Sequence, residues 1–186
     1  MSNMLPRLEL QHMGPPLQQA LAARVQRLGY LGEWFKCAAH APDVLLSFMH
    51  FTDALKAALP DRLSQLVILT VATRLENAYE RNQHERLALR NGHGREWIQA
   101  VERLQPATGA QLTTAERAVQ TFVLAAVELG ARDTQKEFDA MLPHLSRAEA
   151  MALVMLVGRY VAHSIGVQAL GLQPPVPSIF EGDLNP

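Results

Sequence analysis

The chain has 186 residues and a formal net charge of −1, with 17 Lys and Arg set against 18 Asp and Glu. No window gathers enough basic side chains to neutralise a row of phosphates, so nucleic acid is not an expected partner. Its one cysteine, Cys37, excludes an intramolecular disulfide and a two-thiol relay within one chain. The first seven residues lack the apolar stretch of a signal peptide, and a cytoplasmic location is expected.

Taken in order, Pro6, Gly14, Pro15 and Pro16 break up residues 1–16, which read as an extended N-terminal arm. Leu17, Leu21, Val25 and Leu28 then form the stripe of an amphipathic helix that Gly29 ends. A short helix over Trp34 to Ala39 stops at Ala41-Pro42, because proline disfavours helical geometry in the residue before it. From Asp43 the expected inward face is Val44, Leu45, Phe48, Phe51, Thr52 and Leu55. Pro60 opens the next helix, where its missing N–H costs nothing. Leu63 to Thr73 is almost wholly apolar and β-branched enough to suggest a buried strand, but it has no turn chemistry and no partner strand, which favours helix. Another helix follows and ends at Asn91-Gly92.

Thr113-x-x-Glu116 and Ser146-x-x-Glu149 each precede an apolar run and match the capping box, in which two side chains satisfy backbone donors reciprocally. The first helix should run to about Gly130, with Phe122, Leu124, Ala125 and Leu129 inward. The second, to about Leu170, is apolar almost all round, as expected of the central helix of a bundle. The most apolar run in it, Ala150 to Val157, is far short of the ~20 residues that span a bilayer, so no membrane partner is expected. Pro174, Pro175 and Pro177 mark residues 173–186 as a Pro-rich tail. With no alternating strand pattern and no repeat, the fold class is all-α: one helical domain over 17–172.

Chemistry concentrates in Leu59 to Gly92. Glu80 and His84 are four apart on a helix, so they share a face and can share a hydrogen bond. A carboxylate beside an imidazole fixes its tautomer and favours imidazolium, which can protonate a developing carbanion or enolate. Glu76 extends that stripe by a turn, Tyr79 offers a phenolic hydrogen bond, and Arg74 or Arg81 offers a cation for a substrate carboxylate. The same spacing also describes a surface ion pair worth about 0.3–0.5 kcal/mol. A metal is not expected, because neither HExxH nor a second helix carrying Glu-x-x-His is present. His163 reads as a satisfied core residue with access to the same cavity, His40 as a capping or packing residue at the Pro42 turn, and His12, His50, His93 and His144 as surface residues. Cys37 reads as a small buried hydrophobe.

Leu59-Pro60, the apolar Leu66 to Ala72, Tyr79-Glu80, His84, Ala88 and Gly92 together resemble the core helix pair of the carboxymuconolactone decarboxylase and alkylhydroperoxidase-D (AhpD) superfamily. The likeness covers about residues 15 to 172. It implies an AhpD-like multi-helix bundle. Aligned on His84, Asn77 and Glu80 stand where the peroxidase branch has its two cysteines, and Gln65 stands where it has a helper Glu. Thiol-dependent peroxide reduction is therefore not expected, whereas Glu80 with His84 matches the decarboxylase branch. The resemblance implies acid/base chemistry, decarboxylation or isomerisation, on a small carboxylated organic molecule. The catalytic residues would be His84, Glu80 and Tyr79, the substrate-binding ones Arg74, Arg81 and Glu76, with no cofactor. Arg81 stands where many relatives carry Trp, which leaves the substrate open. Relatives assemble as trimers or hexamers, so a homo-oligomer is expected. Two rival readings stay open: a non-catalytic helical oligomer that binds a ligand, and an alkylhydroperoxidase-related antioxidant protein that has lost its cysteine pair.

Overall fold

The computed structural model describes residues 5–108 and 110–181, apart from the side chains of residues 27 and 28. Residues 1–4 of the expected arm and 182–186 of the expected tail lie outside the described residues. Among those described there are nine α-helices and no strand. They divide into two compact units, Met1–Ala54 and Leu55–Pro186.

In the first unit a 3-10 turn, Leu10–His12, leads into α1 (Pro15–Leu28), α2 (Glu33–Ala38) and most of α3 (Pro42–Ala57). Two prolines occupy the first positions of α1, and Gly29 caps it at φ 79°, a conformation that costs glycine nothing. Met13, Leu17, Leu21, Ala39, Leu45 and Met49 make its core. The inward face of α3 differs from the expected one. Leu45, Met49 and Thr52 are buried at spacings of four and three, while Val44 is 69% exposed and Phe51 40%. A run of adjacent apolar residues let the sequence assign too wide a stripe.

The second unit holds α4 (Asp61–Arg74), α5 (Ala78–Arg90), α6 (Arg95–Glu102), α7 (Thr114–Glu128), α8 (Gln135–Met141) and α9 (Arg147–Ala169). Both capping boxes form as expected, at Thr113/Glu116 and Ser146/Glu149. The central helix is α4 rather than α9: it packs against α5, α6, α7 and α9, and every residue from Ser64 to Ala72 is buried. By length and composition α9 is apolar enough to cross a membrane. It instead buries Leu153, Leu156, Tyr160 and His163 and leaves Met151, Met155 and Ile165 exposed on one face. On α7 the buried side chains are Val119, Gln120, Phe122 and Val123, whereas Leu129 is exposed, a shift of the expected stripe.

The stretch between α4 and α5 has no proline or glycine, yet the helices break there. Glu76 adopts φ 53°, and Asn77 caps α5 by accepting from the Glu80 backbone N–H at 3.2 Å. Asn77 also donates to Ser164 Oγ on α9 at 2.9 Å, which ties the start of α5 to that helix. Beyond α9 the proline-rich segment is strapped to α5. Asn82 donates to Val176 O, Arg86 to Pro177 O, and both Ser178 Oγ and the Ile179 N–H donate to Glu85 Oε2 at 2.6 and 2.7 Å.

Candidate functional site

The capped start of α5 turns Glu80 and His84 inward, so the expected pair forms inside the second unit rather than on its surface. Both residues are more than 90% buried, with His84 Nε2 3.2 Å from Glu80 Oε2. On its other side His84 Nδ1 lies 2.8 Å from Gln65 Oε1 of α4. Two side chains of α9 complete the cluster: Tyr160 brings its hydroxyl to 3.4 Å from His84 Nε2, and His163 Nδ1 stands 3.5 Å from Glu80 Oε1. One carboxylate is thus flanked by two imidazoles, with a phenol over the inner one.

Burial raises the cost of charge on Glu80, but the charge that His163 carries in acid, the hydrogen bond and charge of His84 there, and Arg159 outweigh it and hold the carboxyl well below the usual range. Burial pushes His84 down from its ordinary value, with Lys56 and Arg159 adding to the effect and Glu80 only partly offsetting it. His163 falls to about 4, chiefly through burial. The ionised carboxylate therefore stands between two imidazoles that are neutral at rest, and Arg159 supplies the standing positive charge. Glu80 does favour imidazolium at His84, as expected, but burial outweighs it.

The other site residues are placed as follows. Tyr79 is buried with its ring centroid 6.3 Å from that of His163, and the phenol within reach of His84 Nε2 is that of Tyr160. Glu76 does not extend the stripe, because the helix breaks at it and its side chain is exposed. Arg74 is exposed and paired with Glu128 at 2.7 Å, and Arg81 pairs with Glu85 at 3.2 Å. Neither is among the charges that act on Glu80 or His84, whereas Arg159 acts on both and on His163. His163 lies at the site it was expected to reach, but Arg159 and Tyr160 were not expected there. The available signal was three polar side chains at i, i+1 and i+4 in a mostly apolar helix, a costly placement unless they are paired with one another or with a facing helix. His93, expected on the surface, has a side chain only 12% exposed and lies 2.8 Å from Asp61 Oδ2. Among the described residues no group of three or more His, Cys, Asp or Glu is arranged to hold a metal ion.

A second acidic pair lies along the opposite edge of α5. Glu85 is fully buried, paired with Arg81 and capped by Ser178 and Ile179, and it hydrogen-bonds to Glu102 of α6. Two ionised carboxylates cannot donate to each other, so one keeps a proton: burial and the Glu85 charge push Glu102 up to about 8. The folded state then binds more protons than the unfolded chain above the ordinary glutamate range, and stability falls as pH rises toward about 8. Glu102→Gln, which keeps the donor without the charge, is expected to abolish that decline. Urea midpoints measured between about pH 5 and pH 9 will show a flatter profile than that of the unsubstituted protein, and an unchanged slope would assign the decline to other groups.

The carboxymuconolactone decarboxylase family model matches residues 42–123, a span that takes in α4, α5 and the site residues Gln65, Glu80 and His84. That match covers less than half of the chain, and over this span the chain is similar to the family. Solved structures share this helical fold. The debrominase Bmp8, solved in complex with 2,3,4-tribromopyrrole, superposes with a TM-score of 0.79 at 19% identity, over 93% of this chain and 92% of that one. The alkylhydroperoxidase AhpD core of an uncharacterized peroxidase-related protein from Ralstonia eutropha JMP134 gives 0.79 at 17% identity, over 91% and 90%. A protein of unknown function from Agrobacterium tumefaciens, grouped with AhpD, gives 0.66 at 20% identity, over 75% and 96%. No curated protein matches significantly.

Proposed function

We propose that this protein, similar over α3 to α7 to the carboxymuconolactone decarboxylase family, catalyses proton transfer on a small carboxylated organic molecule, leading to isomerisation or decarboxylation, with His84 as the transferring base and acid. The observation that carries the reading is a buried imidazole placed 3.2 Å from an ionised carboxylate and 3.4 Å from a phenol, inside a helical core. An imidazole that is neutral at rest accepts a proton at Nε2 from a carbon acid, and the electron pair of the broken C–H bond passes into an enolate. Glu80 then stabilises the new imidazolium, which returns the proton to a different carbon. In the decarboxylating variant His84 first takes a proton from water, with Glu80 stabilising the imidazolium. The C–C bond to the carboxylate then breaks, its electron pair stays on carbon as CO2 leaves, and His84 delivers its proton to that carbanion.

Arg159 is the cation this reading assigns to the substrate carboxylate, in place of Arg74 and Arg81, since its charge already acts on the three titrating groups. Tyr160 takes the phenolic role first given to Tyr79. Thiol chemistry has no support here, because Cys37 is buried and burial pushes its thiol up, away from thiolate.

The test is incubation of the pure protein in D2O with small lactone acids and β,γ-unsaturated acids, following CO2 release and deuterium entry at carbon by NMR. Catalysed incorporation or CO2 release from at least one compound is expected. If every compound in the set stays inert, the acid/base reading fails, and the non-catalytic helical protein takes its place.

A further inference from the structure

The two sides of His84 make conflicting demands on its protons. Glu80 Oε2 beside Nε2 is an acceptor and, taken alone, selects the tautomer with hydrogen on Nε2. A flipped Gln65 amide would complete that arrangement by donating to Nδ1. The structure holds the amide the other way round. Gln65 Nε2 donates to Asp61 Oδ1 at 3.3 Å, one turn earlier on α4, which leaves Oε1 facing His84 Nδ1 at 2.8 Å. A carbonyl oxygen only accepts, so Nδ1 must carry the hydrogen. In the neutral ring that burial favours, Nε2 then keeps its lone pair and can accept from the Tyr160 hydroxyl, while its 3.2 Å approach to Glu80 Oε2 becomes a hydrogen bond only when the ring takes up a proton.

Asp61 is itself held. Asn91 Nδ2 donates to its Oδ2 at 3.0 Å, and His93 Nε2 lies 2.8 Å from the same oxygen. Burial raises the cost of its charge, but these hydrogen bonds and that from Gln65 outweigh it, so Asp61 stays ionised and acceptor-only. A carboxylate at the edge of the helix bundle thereby decides the proton position of an imidazole two side chains away.

We propose that Asp61 is a positioning residue: acting through Gln65, it fixes His84 with hydrogen on Nδ1 and a bare Nε2 facing the site. Its functional consequence rests on His84 being the proton-transfer group, but the tautomer itself can be read without any substrate.

The experiment is imidazole 15N NMR of the full chain at neutral pH, with the His84 resonances identified by their loss in a His84→Gln variant. In the unsubstituted protein Nδ1 should give the pyrrole-type signal and Nε2 the pyridine-type one. In Asp61→Ala the released Gln65 amide turns over, and the pyrrole-type signal should pass to Nε2. The double variant Asp61→Ala/Gln65→Glu, which presents only acceptor oxygens to Nδ1, should restore the original assignment. Thermal unfolding confirms that each variant is folded. A bare Nδ1 in the unsubstituted protein, an unmoved signal in folded Asp61→Ala, or no restoration in the folded double variant would each overturn the proposal. These readings hold whether or not turnover is ever found, so failure here and failure of the catalytic reading are separate results.

Discussion

For a substrate that turns over, His84→Ala is expected to slow deuterium entry at carbon by about 10²–10⁴-fold, the usual contribution of a positioned general acid/base. No neighbour can replace the lost base. Glu80 is held well below the usual carboxylate range, which makes it a weak proton acceptor, and His163 faces the carboxylate from its far side. Glu80→Gln should have the smaller effect, because it leaves the accepting nitrogen and removes only the charge that steadies the imidazolium. The sign of the pH dependence also follows. The base works when neutral, and burial sets its pKa below the ordinary histidine value, so the rate should hold at acidities where an exposed histidine has already been protonated. An equal rate in folded His84→Ala would remove His84 from the mechanism.

The second large effect concerns the fold. Leu69→Ala should destabilise the second unit by about 2–5 kcal/mol, measured from urea denaturation with the slope unchanged. Leu69 is fully buried in α4, the helix packed against α5, α6, α7 and α9, so the surrounding helices constrain one another and cannot easily collapse into the space left behind. Met151→Ala on the exposed face of α9 is the matched control, with about half its surface already in solvent and little packing to lose. Similar losses at the two positions would mean that α4 is not the centre of the core.

The helical architecture was legible because its signals are local. Both capping boxes, the glycine at the end of α1 and the proline at the start of α3 depend only on neighbouring residues, and each operates as expected. The Glu80 and His84 pair was legible for the same reason, since four residues make one helical turn. What the sequence concealed depends on contacts between helices. Tyr160 and His163 reach the pair across some eighty residues, and an apolar helix carrying a few polar groups gives no register to say which neighbour they face. Arg74 and Arg81 looked available because a sequence does not show that Glu128 and Glu85 already hold them. Glu76 looked like part of the stripe because nothing in its neighbours announces a break with positive φ. The protonation of His84 was concealed for a related reason, in that spacing reveals the attraction of Glu80 but not the depth of burial that opposes it.

The strap across α5 bears on how the chain is made. Glu85 leaves the ribosome 93 residues before Ser178, the side chain that caps it. Until then its carboxylate has no hydroxyl to accept from, and the α5 face beneath Val176 and Pro177 stays open to water or to a chaperone. Helices of this unit can form as they emerge, but the acidic edge of α5 closes only after nearly the whole unit has been synthesised. Its final packing is therefore a late, non-local event in a protein whose other contacts are mostly built from nearby turns.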